Sequence, residues 1–428
     1  MSSAKLSLRS AIFINLNIIL GTGIFINSVL LARHMGPWGA ATYLLISTLL
    51  LPLILALASL VTIHKGGSFY DYAAPLHPFM GFMSQWSYFV GKMAACALGV
   101  NIFVSLMKTI FIPLSGYSTL VLDSLVIIFF IALNMLNLRI NRSIQILFFT
   151  LKMIPILFII CAGLMFFSPE HLINTSLDWN ALFVTIPFAL YAFTGFEATC
   201  SLIHTLEHPQ KDGPKAILYS YGLSVLIAVL FQTLLYALVG PELQLSGTFL
   251  ETFPLVFKKV FSDYSTLGIL LIHSAIACSA LGAAYGVMFS NAWNLFTLAD
   301  KKLIIGNQLF GKLTLQGVPY MCVIAEGIIA LTYLWYTSAD QVTLQQINTL
   351  ALTTTFTLSV LGLIVYQLRN YGSATLISIG ASLSCMLLLG FLLKNFIHYQ
   401  SIPSLPFLIF IGLGALNFLT NFKKHQRA

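Results

Sequence analysis

The amino-acid sequence predicts an all-α integral membrane protein of about twelve transmembrane helices, the first and the sixth interrupted near their middles. Three observations carry this expectation. Of 428 residues, 58% are hydrophobic and only 8% charged, against roughly 25% charged in soluble domains; the mean hydropathy is +0.91. Apolar runs recur at membrane-crossing length. Two of these runs are interrupted near their middles by Gly-Thr-Gly and by Thr-Gly, where lipid offers a freed backbone no hydrogen-bond partner.

Crossing a bilayer takes about 20 residues, and apolar runs of that order cover 10–32, 38–63, 79–107, 118–138, 143–167, 181–203, 216–239, 264–297, 318–338, 345–368, 373–393 and 403–422. Nothing between them is long enough for a soluble domain. The even number places both termini on one side. Met1 to Arg9 is short and basic, with no small-residue cleavage site at signal-peptide distance, so it reads as the lead-in to a retained first span.

The net charge of +8 is explained by topology. Fourteen of the 21 Lys and Arg, among them Lys5, Arg9, Arg139, Arg142, Lys301 and Arg427, fall on the N-terminal side. Five (Arg33, Lys108, Lys258, Lys259 and Lys394) fall opposite, and Lys92 and Lys152 lie inside spans. The positive-inside rule therefore places both termini in the cytoplasm of a cell membrane, inner or plasma, and no nucleic-acid partner is expected. The six cysteines all lie within spans, widely spaced and without CxxC, so they read as packing residues; no disulfide, metal or cofactor is expected. Asn174 to Ser176 (NTS) is a glycosylation sequon on the outward side, meaningful only in a eukaryotic secretory context.

The first interruption is Ile19-Leu20-Gly21-Thr22-Gly23. Each glycine costs a helix interior roughly 1 kcal/mol against alanine. A break there exposes amide N–H groups at the start of a half-helix beginning near Ile24, a place suited to a carboxylate. The carbonyls ending the preceding half-helix, near Ile18 to Leu20, suit an ammonium. One break thus offers both polarities of an α-amino acid; a plain helix-packing contact of small residues is the competing explanation. Span six repeats the pattern after Pro187, with Thr194-Gly195 interrupting the run and Glu197 two residues on. Spans one and six are five apart, so a five-span repeat would enter the membrane in opposite senses. Interrupted helices at corresponding positions of two inverted halves point to the midplane site of a secondary transporter. The repeats run about 10–167 and 181–368, making 1–368 the core; 373–428 adds two peripheral helices and a tail.

These pieces resemble the amino acid–polyamine–organocation transporter superfamily. ILGTGIF at Ile19–Phe25 is similar to its first-helix signature, and further matches follow in order: GGSFY from Gly66 to Tyr70, Trp86 to Tyr88, FTGFE from Phe193 to Glu197, HPQKDGPKAI from His208 to Ile217, and Gly311 with Val318-Pro319. The resemblance covers the first ten spans and implies a leucine-transporter-like five-plus-five inverted repeat. Two departures are Asn17, where the family usually has glycine, and an arginine-poor end of span eight, Trp293-Asn294 to Lys301.

The candidate substrate-binding residues are Ile19, Gly21, Thr22 and Gly23 of the first break, Tyr191, Phe193, Thr194 and Gly195 of the second, and Lys92. Tyr191 and Phe193 could lid a bound side chain, and the resemblance favours Tyr191. Glu197 and Lys152 are the candidates for proton coupling and gating. A midplane carboxylate is costly to hold charged, so Glu197 suits carrying a proton part of the time, and it could equally bond freed backbone. Lys152 lies too deep to snorkel and needs a partner. The resemblance implies that its ammonium stands where sodium binds in sodium-coupled relatives, beside the first broken helix and span eight. Lys92 could hold an acidic substrate or pair with Glu197, and two unmatched charges at one depth favour the pair. Glu326, His273 and Ser279 are weaker candidates.

The expected function is secondary transport of amino acids by alternating access with proton symport. The partners are then a small-molecule substrate (amino acid or related amine), protons and the lipid bilayer. An exchanger of amino acids, amines or polyamines is the alternative. A non-transporting sensor stands further off, as does an intramembrane enzyme, for which no HExxH, GxGD or Ser–His set is present.

Overall fold

A computed structural model describes residues 5–21, 23–64, 67–173, 179–261, 266–397 and 403–427. Among them the chain is helical throughout, the one β element being an isolated bridge between Leu6 and Leu206. The elements are α1 (Leu8–Ile19), α2 (Gly23–Met35), α3 (Gly39–Ile63), α4 (Phe69–Ala73), α5 (Pro78–Ile110), α6 (Thr119–Asn134), α7 (Leu138–Met165), α8 (Trp179–Ala192) and α9 (Ala198–Leu202). They continue with α10 (Pro209–Val239), α11 (Glu242–Leu245), α12 (Phe249–Phe261), α13 (Thr266–Asp300), α14 (Asn307–Phe310), α15 (Tyr320–Thr337), α16 (Gln341–Tyr371), α17 (Leu376–Asn395) and α18 (Leu405–Arg427).

Among the described residues, helix covers most of each apolar run read from the sequence, and eight helical stretches are long and apolar enough to cross a membrane. This is an all-α, multi-pass membrane protein. The start and stop signals are local. Ser7 caps α1 by accepting the Ser10 amide, Pro78 opens α5 behind His77, Asp340 caps α16, and Gly372 ends α16 in the left-handed conformation.

The first and sixth runs are each two pieces. α1 and α2 have 12 and 13 residues, each too short to cross alone. α8 ends at Ala192, and the backbone turns through Phe193 to Glu197 before the short α9. Gly195 supports that turn at φ +132°, a value only glycine takes without strain. The freed amides are satisfied within the protein, as burial in lipid demands: Phe193 and Thr194 donate to the Leu190 and Tyr191 carbonyls at 3.1 and 3.2 Å.

The two longest helices, α5 and α13, pack most extensively on each other. α1 lies against α7, α10 and α13, and α2 against α8. α17 packs on α16 and α3, and α18 mainly on α5.

Candidate functional site

The two breaks meet. A Cβ on Gly195 would stand 2.9 Å from the Ile19 nitrogen; one on Gly23 would stand 3.1 Å from Ala192 Cα, and one on Gly21 2.9 Å from Ala283 Cβ. Glycine at these positions lets three backbones approach where any side chain would separate them. Between them is a cavity of about 30 Å³. Its walls are Ile18, Ile19, Gly21 and Gly23 at the first break, Tyr191 and Thr194 at the second, Lys92, Ala95 and Gly99 of α5, and Ala283 and Val287 of α13. That volume holds a few water molecules at most, so nothing as large as an amino acid enters without the helices parting.

Each half-helix is tied to a partner across the break. Asn15 of α1 donates to the Phe196 carbonyl at 3.0 Å and to Thr199 Oγ1 at 2.7 Å. Asn27 of α2 donates to the Phe188 carbonyl of α8 at 2.6 Å. Lys92 and Glu197, both fully buried, form an ion pair at 2.6 Å. Glu197 Oε1 also accepts from Tyr88 at 3.3 Å, and its Oε2 accepts the Gly195 amide at 2.7 Å. Of the two roles open to Lys92 from the sequence, the geometry has the pair. Glu197 thereby fastens the second break to α5.

Lys152, fully buried on α7, donates to the Asn17 carbonyl at 2.5 Å and the Ser279 carbonyl at 3.5 Å. Its ammonium thus joins α7 to the C-terminal end of α1 and to α13, where the negative end of a helix dipole favours a cation. The Asn17 side chain donates to Gln145 and to the Gly282 carbonyl at 2.9 Å, and Ser279 Oγ to the Leu20 carbonyl at 3.2 Å. The polar side chain that departs from the family pattern at position 17 completes the same cluster.

On the side of the protein that carries the start of α1, several polar contacts tie the helices together. Lys301 pairs with Asp71 at 2.8 Å, and Gln85 donates to the Asn294 carbonyl at 2.6 Å. Asn294 Nδ2 donates to Ser201 of α9 at 2.8 Å, and Leu6 hydrogen-bonds to Thr205 and Glu207 at 2.8 and 3.0 Å. On the other side a cavity of about 400 Å³ begins one helical turn beyond the small one, with Ile26, Ile102 and Phe188 in its wall.

Some expected residues lie elsewhere. Phe193 is fully buried against the rings of Tyr43 and Tyr221, at 5.5 and 6.0 Å, and stays out of the cavity: in the turn after α8 the helical phase is lost and its ring swings behind the break. His273 bonds to the Leu250 carbonyl at 3.1 Å, away from both breaks. Glu326 is fully buried on α15, outside the cavity wall. Thr22, Gly66 and the sequon at 174–176 lie outside the described residues. The sequence reading missed Asn15, Asn27 and Tyr88; an amide inside an apolar run was the available signal for the first two.

A sequence family described as amino acid permease matches residues 6–420. The D-serine/D-alanine/glycine transporter of Escherichia coli (strain K12) is 23% identical over 340 residues, 73% of this chain and 70% of the relative. The lysine-specific permease of Lactococcus lactis is 23% identical over 339 residues, covering 73% and 65%. The putrescine transporter of Haemophilus influenzae is 25% identical over 269 residues, covering 59% and 57%. These are transporters and not enzymes. With a match running through nearly the whole helical bundle and both breaks, the chain belongs to the amino acid permease family, within the amino acid–polyamine–organocation superfamily.

Proposed function

We propose that this protein is a secondary transporter that carries an amino acid across a cell membrane by alternating access, driven by proton symport, with both termini in the cytoplasm. The reading takes 10–167 and 181–368 as inverted repeats whose broken helices share the site, with the helices of 373–428 peripheral. The substrate carboxylate meets the amides that open α2, its ammonium meets the carbonyls that close α1, and Tyr191 and Thr194 approach its side chain. Lys152 carries the coupling proton and Glu197 holds the second break. The observation that supports coupling most directly is the Lys152 ammonium on the Asn17 carbonyl at 2.5 Å. Protonated, it draws α1, α7 and α13 together; deprotonated, the charge that favours those carbonyls is gone and the end of α1 is released.

The contacts that tie the helices together on one face, with the larger cavity opposite, support entry from the side away from the termini. Flux of radiolabelled amino acids into liposomes holding the purified protein, with and without an imposed pH gradient, tests the proposal. Uptake accelerated by an inward proton gradient supports symport. Uptake that needs internal amino acid or amine and ignores the gradient replaces it with exchange. No flux of any amino acid sinks the transport reading.

A further inference from the structure

Among the described residues, Lys92 is the one charged side chain in the cavity wall, and its ammonium is already committed to Glu197 at 2.6 Å. Glu197 is held in turn by the Gly195 amide and Tyr88, so neither member of the pair is free to turn toward a substrate. The rest of the wall is uncharged, and on the α5 and α13 side it is mostly small, Ala95, Gly99 and Ala283 with Val287 beside them. Gly99 and Gly21 are themselves closed in, since a Cβ there would stand 3.0 Å from Ala284 Cβ and 2.9 Å from Ala283 Cβ.

Resting on the transport reading above, we infer that Lys92 sets the substrate class: a net-neutral amino acid with a small side chain, such as glycine, alanine or serine. The names of the relatives run from small neutral amino acids to lysine and a diamine, so kinship leaves the class open. The pair decides it. A substrate with an extra positive charge would meet an ammonium at low dielectric and no spare carboxylate. One with an extra negative charge would have to compete with Glu197 for Lys92, leaving a buried carboxylate unpaired. Selectivity by an unmet charge is selectivity against the wrong partner.

The inference predicts what removing each half does. Lys92→Met leaves the Glu197 charge beside the cavity and should turn preference toward cations. Glu197→Gln frees the ammonium and should turn it toward acidic amino acids. The double variant should return the selectivity ratio toward that of the wild type.

The test is competition against radiolabelled alanine uptake in proteoliposomes by glycine, serine, lysine, putrescine, aspartate and tryptophan. In the wild type, glycine and serine compete and the charged or bulky compounds need at least roughly tenfold higher concentration. In each single variant the ratio for the matching charge rises by at least roughly tenfold. Wild-type protein that admits lysine, putrescine or aspartate as freely as alanine overturns the inference and leaves amino acid transport standing, as do folded single variants with unchanged ratios. The wild-type panel decides the matter if the single variants do not fold. Protein that moves no amino acid sinks the transport reading and this inference with it.

Discussion

Lys152 on α7 and the backbone carbonyl of Asn17 on α1 are joined by a 2.5 Å hydrogen bond, and every partner of that ammonium is a carbonyl oxygen. A cation held by dipoles alone can lose its proton without stranding a buried carboxylate. Lys152→Ala should therefore abolish the acceleration of uptake by an inward proton gradient, a loss of roughly tenfold or more. Uptake in proteoliposomes at equal internal and external pH, against uptake with the outside acidified, measures it. Unchanged gradient-driven uptake in the variant would remove Lys152 from coupling.

The close approach at Gly195 makes a stability prediction. An alanine there would have to hold φ near +132° and place its Cβ 2.9 Å from the Ile19 backbone, which has no room to yield. The strain should cost roughly 1–3 kcal/mol, read as a lower melting temperature in detergent together with lost uptake. Gly222 on α10 has nothing within 4 Å of its Cβ position, so Gly222→Ala should leave uptake unchanged and the melting temperature equal or higher.

The Lys301–Asp71 pair closes the side bearing the start of α1, and both side chains are partly exposed. Such pairs contribute about 0–1 kcal/mol, so Lys301→Ala should shift the balance toward opening on that side by about fivefold at most. Asp71 itself is the poorer choice for substitution, because it also caps α4 through the Ser68 amide at 2.8 Å. Cys200 on α9 is fully buried in this arrangement, and its rate of alkylation, followed by mass spectrometry, reports the opening. An unaltered rate would mean that the pair plays no part in closure.

Asn15 and Asn27 each tie a half-helix to the other break. Asn15→Ala should leave the Phe196 carbonyl unsatisfied in a dry environment, at about 1–3 kcal/mol, and lower both melting temperature and uptake. Asn15→Asp, which cannot donate in its charged form, should do no better; rescue by that variant would refute the role given to the donated bond.

What the sequence revealed was depth; what it concealed was direction. Gly21, Gly23 and Gly195 announced the breaks because Gly-Thr-Gly and Thr-Gly recur in runs five apart, a correspondence that helix packing alone does not require, and the equal depth of Lys92 and Glu197 announced their pairing. The face a side chain presents was harder to read. In a run that is apolar all round there is no polar stripe to orient it, and through the turn after Ala192 helical counting fails, so the residue pattern alone did not separate Phe193 from Tyr191; the family resemblance favoured Tyr191, the one of the two that reaches the cavity. Asn15 meets Phe196 across 181 positions, a separation that no local pattern encodes.

The paired hydrogen bonds at Leu6 have a mechanical consequence. Leu6 grips Thr205 and Glu207, as Asn15 grips Phe196 and Thr199, so α1 and α9 are riveted at both ends, while Asn27 joins α2 to α8. On the transport reading, the two broken rods would move as one pair of shears, with upper and lower blades that each combine a piece of both rods and a pivot at the glycines between them. A spacer that lengthens the chain between Leu6 and Leu8 should slacken the lower blade without touching the pivot.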